Sequence, residues 1–276
     1  MKSSLKTNLY YLVLWTVSLL AFSPVLWIFL AGLKTRDQVL SIPPQWFFKP
    51  TMENFTNLFV KYEFLGFFLN SLFISIIAVI IAIIVSFLAA YAFSRFKPKG
   101  TNFIMFLLLS MRMVPGAAVI VPVFLLYVAL GWKNTYFGMI MFYTMFSIPF
   151  SVWILKGFID GISKRFDETA IVNGAGQLHI MTKVILPQVR PGIIAAFIFN
   201  LIFVWNEFLF NFVIGGNKVT TAPVIIAIGA YTDKGYEWGF IGAASVVFIV
   251  PLLFILFIFQ KYLLVGMTFG TVRGEI

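Results

Sequence analysis

Apolar residues fall in long unbroken runs along this chain, and the polar ones gather in the gaps between them. Six runs reach the roughly 20 residues that a helix needs to cross a bilayer: Leu9–Leu33, Leu65–Phe93, Phe103–Leu130, Tyr136–Ile159, Gly192–Ile214 and Phe240–Gln260. Lipid offers the backbone no hydrogen-bond partners, so a spanning segment must be a helix or part of a closed barrel. Stretches such as SIIAVIIAIIVSFLAAYAF show no two-residue alternation, which predicts helices. The third run is interrupted by SMRMVPG. The first follows Lys2 and Lys6 as a signal peptide would, but it exceeds an h-region of about 7–15 residues and reads as a retained anchor.

Composition supports this picture. Apolar residues make up 61% of the 276 and charged residues 11%, against about 45–50% and about 25% in soluble domains. The expectation is an all-α membrane protein with six transmembrane helices, forming a single domain over 1–276. There is no cysteine and only one histidine, His179, which excludes disulfides, cysteine nucleophiles and multi-histidine metal sites. The net charge of +10 is explained by its placement. With the N-terminus in the cytoplasm, twelve of the twenty basic residues fall inside, seven outside, and Arg112 within a span. The positive-inside rule therefore puts both termini in the cytoplasm and makes nucleic acid unnecessary as a partner. Trp132, Tyr136, Tyr236 and Trp238 sit where interfacial aromatics belong.

The polar loop 160–191 lies on the cytoplasmic side in this topology. Asp167 and Glu168 precede a short apolar stretch that Gly174 ends, a helix start and stop. A second short helix fits Gln177–Leu186, with Leu178, Met181, Thr182 and Ile185 on one face, and Pro187 and Pro191 stopping it before the fifth span. This helix-turn-helix carries an apolar ridge that lipid or a partner protein must cover.

Glu168-Thr169-Ala170, three residues, Gly174, nine residues, then Val184-Ile185-Leu186-Pro187 resembles the EAA loop of bacterial ABC importer permeases. That loop reads E-A-A, three residues, G, nine residues, I-x-L-P. Thr169 and Val184 depart from it by small changes of volume. FLNSLFIS (Phe68–Ser75), YAFSRFKPKG (Tyr91–Gly100), RMVPGAAVIVPVF (Arg112–Phe124), WNEFLF (Trp205–Phe210) and LLVGMTFGTVRG (Leu263–Gly274) are similar to the carbohydrate permeases of maltose type, second subunit of the pair. The resemblance implies a non-catalytic permease of the prokaryotic inner membrane. Its partners would be a second permease in a heterodimer, two ATP-binding subunits that hold ATP and Mg, and an extracytoplasmic solute-binding protein that delivers a sugar or oligosaccharide. The chain would bind no cofactor of its own. Glu168, Thr169, Ala170, Gly174, Ile185, Leu186 and Pro187 would couple it to the ATPase.

Charged residues in a span cost about 2.5–3.5 kcal/mol each at mid-helix and usually face a bundle interior or a water cavity. Arg112, Asn206 and Glu207 are therefore candidates for a polar substrate path, with Trp205 beside them able to stack on a sugar. Arg112 equally fits snorkelling to the interface. Pro115, Pro122, Pro149 and Pro251 are candidate kinks. No phosphate-binding loop occurs, and NGAGQ lacks the third glycine of a dinucleotide fingerprint. A stand-alone ion-coupled secondary transporter is the alternative, but Glu207 alone is a poor set of coupling acids and no internal repeat is evident. A membrane-embedded enzyme would need a cluster of acids or histidines that ten scattered acids do not supply.

Overall fold

The structure is a computed structural model. It describes the backbone of residues 2–233 and 235–268 and the side chains of 7–233 and 235–260. The positive charges of Lys2, Lys6, Lys234, Lys261 and Arg273 and the whole LLVGMTFGTVRG stretch lie outside the described side chains.

The described chain is almost entirely helical. In order it forms α1 (Lys2–Gly32), α2 (Arg36–Val39), α3 (Glu53–Val60), α4 (Phe64–Arg95), α5 (Thr101–Met111), α6 (Gly116–Ala129), α7 (Tyr136–Asp160), α8 (Arg165–Val172), α9 (Gln177–His179), α10 (Leu186–Trp205), α11 (Ala222–Ile228) and α12 (Trp238–Thr268). A two-residue hairpin, β1 (Tyr231–Thr232) with β2 (Gly235–Tyr236), precedes α12. Among the described residues five helices are long and apolar enough to cross a membrane, or six where the bent pair α5 and α6 is counted as one span. Two compact units emerge, residues 1–66 with 225–251 and residues 67–224 with 252–276.

In the first unit α1 meets the start of α12 through glycine. A Cβ on Gly242 would lie 2.4 Å from the Gly32 nitrogen, and one on Gly32 2.9 Å from the Ala243 nitrogen. Two backbones this close are the usual way helices associate where no hydrophobic effect drives them together. The Asn54 amide donates to the carbonyls of Gly32 and Lys34 at 3.0 and 2.8 Å, closing the end of α1. The Tyr62 hydroxyl donates to Glu237 at 2.8 Å, and burial pushes this phenol above its ordinary pKa, with the carboxylate adding to the effect.

In the second unit the core is formed by Ile74, Ala78 and Val79 of α4, Tyr143, Leu155 and Ile159 of α7, and Ile180, Ile185 and Val189 around the start of α10. Gly192, Ala195 and Ala196 make the close face of α10; a Cβ on Gly192 would stand 2.5 Å from the Phe158 ring.

Two expectations are corrected. The third span is not one helix: α5 and α6 bend by 95° at residues 112–115. Pro115 has no N–H and disfavours helix at Val114, so α5, which ends at Met111, does not run on into α6. At 11 and 14 residues, neither half alone covers a hydrocarbon core of about 30 Å at 1.5 Å per residue. Pro122, Pro149 and Pro251, in contrast, lie inside continuous helices.

The fifth span begins earlier and ends earlier than Gly192–Ile214. One continuous helix runs Gln177–Trp205, and Pro187 and Pro191 do not stop it. Pro191 lies inside α10, and Pro187 is accommodated by a π-helical turn, Ile180–Ile185, in which the Leu186 N–H reaches back five residues to Met181. Pro187 then occupies the first turn of α10, where a missing N–H costs little. The π turn also shifts the buried face. Leu178, assigned to it by α-helical spacing, is 70% exposed, while Ile180 and Ile185 are the buried pair.

Candidate functional site

The polar loop folds as a helical elbow. α8 opens with Asp167 and Glu168 in its first turn, where acids complement the helix dipole. It closes on Gly174 at φ +78°. The Gly174 N–H bonds the Ile171 carbonyl and the Ala175 N–H bonds the Ala170 carbonyl, both at 2.9 Å. This double bond pattern with glycine in the left-handed region is a Schellman cap. Ala170 and Ala175, brought together by it, pack against the core. Nothing lies within 4 Å of a Cβ built on Gly174, so the position is set by backbone conformation and not by space.

The seven residues expected to couple the chain to an ATPase divide by environment. Glu168, Thr169, Gly174 and Pro187 are exposed, Ala170 and Leu186 are half-buried, and Ile185 is fully buried. Ile185 is thus an anchor of the elbow and not part of its outer surface. The outer surface carries Phe166, Ile171, Val172 and Leu178, all large apolar side chains left exposed.

Sequence reasoning missed what holds the elbow from behind. Arg95, at the end of α4, pairs with Asp167 through Nε to Oδ1 and Nη2 to Oδ2, both at 3.1 Å. The same guanidinium donates to the carbonyls of Ile159 at 3.2 Å and Ile162 at 3.1 Å. The Ser94 hydroxyl and Lys156 each reach Asp160 at 2.6 Å, and the Tyr91 hydroxyl donates to Gln177 at 3.1 Å. The available signal was a lone arginine closing an apolar run and an acid opening the loop, with nothing in the spacing to pair them.

A second polar feature lies among α6, α7 and α10. A cavity of about 220 Å³ is lined by Arg112, Val114, Gly116, Phe142, Tyr143, Phe146, Phe203, Glu207 and Phe210. The Arg112 guanidinium sits 4.8, 5.1 and 4.9 Å from the ring centroids of Phe146, Phe150 and Phe203, a cation–π cage for a charge placed in apolar surroundings. Glu207 accepts from the Tyr143 hydroxyl at 2.6 Å and from the backbone N–H groups of Phe210 and Asn211 at 2.8 and 3.2 Å. It therefore caps the short helical stretch that leads into the π turn Asn211–Gly215.

Of the four path candidates, the structure brings Arg112 and Glu207 to one cavity and separates the other two. Trp205 is 4% exposed and edge-on to Phe68 at 5.9 Å, so in this conformation its indole packs and has no free face for a sugar. Asn206 is exposed and folds back onto the Ile202 carbonyl. Tyr143 and the phenylalanine cage escaped the sequence reading because they are common residues in a chain with 34 phenylalanines. Among the described residues no group of three or more metal-ligating side chains occurs.

Comparison with known proteins agrees with this architecture. A probable ABC transporter permease protein, y4oR of Sinorhizobium fredii, is 34% identical over 266 residues, which is 95% of each chain. The trehalose/maltose transport system permease protein of Thermococcus litoralis is 29% identical over 94% of each. Among solved structures, a chain of a bacterial ABC transporter involved in the import of the acidic polysaccharide alginate superposes with a TM-score of 0.80. That match covers 95% of this chain and 98% of the other at 19% identity, which establishes a shared fold. Residues 82–268 match the model of the binding-protein-dependent transport system inner membrane component; the chain belongs to that family, the multi-pass membrane permeases of ABC transporters.

Proposed function

We propose that residues 1–276 act as one permease subunit of an ATP-driven sugar importer, working in a heterodimer with a second permease. The sugar or oligosaccharide arrives on an extracytoplasmic solute-binding protein. ATP and Mg are held by two separate ATP-binding subunits, so the chain is non-catalytic and binds no cofactor. Both termini lie in the cytoplasm of a prokaryote, as the distribution of basic residues supports.

The observation that carries this reading is the elbow within a family-matched chain. A capped two-helix corner presents Glu168, Phe166, Ile171, Val172 and Leu178 outward, on a surface too apolar to be left bare. A nucleotide-binding subunit is the partner that this surface fits. Its second arm is continuous with a 29-residue helix, so displacement of the elbow moves a whole span as a rigid body. The carbohydrate class rests on the trehalose/maltose relative.

The test is reconstitution of the chain with its partner permease, ATP-binding subunits and solute-binding protein in proteoliposomes. ATP-dependent uptake of labelled oligosaccharide is expected, and removal of 166–187 should abolish both uptake and capture of the ATP-binding subunit. Uptake by this chain alone under an ion gradient would overturn the reading.

A further inference from the structure

We propose that Arg95 is the positioning residue that fixes the elbow to the membrane helices, so that a push on α8 enters α4 and α7 as well as α10. The proposal rests on the reading of α8 as the surface that receives the ATP-binding subunit. It adds a route of transmission that neither the loop pattern nor the continuous helix supplies.

The geometry is specific. α8 is joined to α7 by a short connection, residues 161–164, and to α9 by the turn at Gly174. Chain connectivity alone would let α8 rock about these two ends. The Arg95 guanidinium removes that freedom by holding a carboxylate on α8 and two backbone carbonyls at the end of α7 and just beyond it at once. Nε and Nη2 hold Asp167 in the first turn of α8, Nη1 holds Ile159 in the last turn of α7, and Nη2 also holds Ile162 beyond it. The Arg95 and Asp167 side chains are only 8% and 13% exposed, so water competes weakly for these bonds. Cations at a helix C-terminus also complement its dipole, and α7 ends here.

Arginine is required by this arrangement. Its planar fork offers donors in several fixed directions, whereas a lysine ammonium is a point charge on a flexible stem. Lysine could keep the pairing with Asp167 but could not also hold both carbonyls in the same plane. Ser94, the preceding residue, adds a second tie between α4 and α7 through Asp160.

The experiment uses the full transporter assembly in proteoliposomes with Arg95→Lys, Arg95→Gln, Asp167→Asn and the double variant Arg95→Gln/Asp167→Asn. Three quantities are read: ATP-binding subunit retained, ATP hydrolysed, and oligosaccharide taken up per ATP. The subunit should be retained at wild-type levels while uptake per ATP falls by at least about 5-fold in each single variant, the lower range of site-to-site coupling. The double variant should be no worse than Arg95→Gln, because Asp167→Asn removes only a tie that the arginine variant has already lost. Wild-type uptake per ATP in Arg95→Gln, or a double variant that falls by the product of the two, would overturn the proposal. For any variant with low yield, hydrogen exchange on the purified protein decides: α8 amides should exchange about tenfold faster in Arg95→Gln while α10 amides do not change, and unchanged α8 exchange would also overturn it. If the wild-type chain captures no ATP-binding subunit, the coupling reading itself fails, a result separate from every outcome of the variants.

Discussion

The Tyr143 hydroxyl donates a 2.6 Å hydrogen bond to Glu207, joining the buried middle of α7 to the point where α10 ends. Glu207 is therefore not a free carboxylate in a pore. It holds three donors, one from α7 and two from the backbone that follows it, and so fixes the turn by which the chain leaves its fifth span. Arg112 lines the same cavity, and its guanidinium is committed to the phenylalanine rings around it.

Removing these partners should destabilise in a definite order. A hydrogen bond to a charged group contributes about 1.5–3 kcal/mol, so Tyr143→Phe should cost about that. Glu207→Ala should cost more, because three donors lose their acceptor, and Glu207→Gln should fall between them. Thermal unfolding of the purified transporter checks the ranking. A Tyr143→Phe protein that melts with the wild type would show that the bond is not made.

Gly174 gives a cleaner backbone test. A non-glycine residue in the left-handed region pays roughly 1–2 kcal/mol, and here no neighbour adds a steric term. Gly174→Asn should therefore be nearly tolerated, Gly174→Ala impaired, and Gly174→Val worst, in uptake per ATP with membrane insertion preserved. Normal transport by Gly174→Val would remove the Schellman cap from any role in the elbow.

How far the sequence carries is visible in these positions. Six apolar runs, the acids that open α8 and the glycine that ends it all follow from local rules, because length, dipole and φ preference act within a few residues. The 95° break was visible only as an interruption, since the direction of a chain after Pro115 depends on what packs around it. The fifth span was misplaced because Pro187 and Pro191 read as terminators, and a π turn that makes Pro187 harmless leaves no mark in spacing. Arg95 with Asp167, and Tyr143 with Glu207, are contacts over more than sixty residues, which no periodicity within one chain reveals.

Close packing of α7 on α10 makes a prediction with opposite signs at two glycines. A Cβ at Gly192 would stand 2.5 Å from the Phe158 ring, so Gly192→Ala should cost about 1–3 kcal/mol as overpacking. Gly157, one residue before that phenylalanine, has nothing within 4 Å of its Cβ position. Gly157→Ala should stabilise by roughly 0.5–1 kcal/mol through helix propensity. Melting temperatures of the two variants, with Phe158→Leu added to Gly192→Ala to recover part of the loss, test the contact.

The π turn makes the last prediction. Ile180 and Ile185 are 1% and 0% exposed, and they are five residues apart. On an α-helix, at roughly 100° per residue, that separation would turn them about 140° from each other, and one would leave the core. The wider π turn brings them back onto one side at the cost of one additional residue. Lys183 lies between them and is exposed. Its deletion would leave the two isoleucines four residues apart, roughly 40° from alignment, which an ordinary α-helix accommodates. The variant should insert and melt within about 1 kcal/mol of wild type, whereas deletion of Ile194 inside α10 should turn one half of the span by roughly 100° and prevent folding. If loss of Lys183 is as damaging as loss of Ile194, the turn is not a removable insertion and the buried pair is not what fixes its phase.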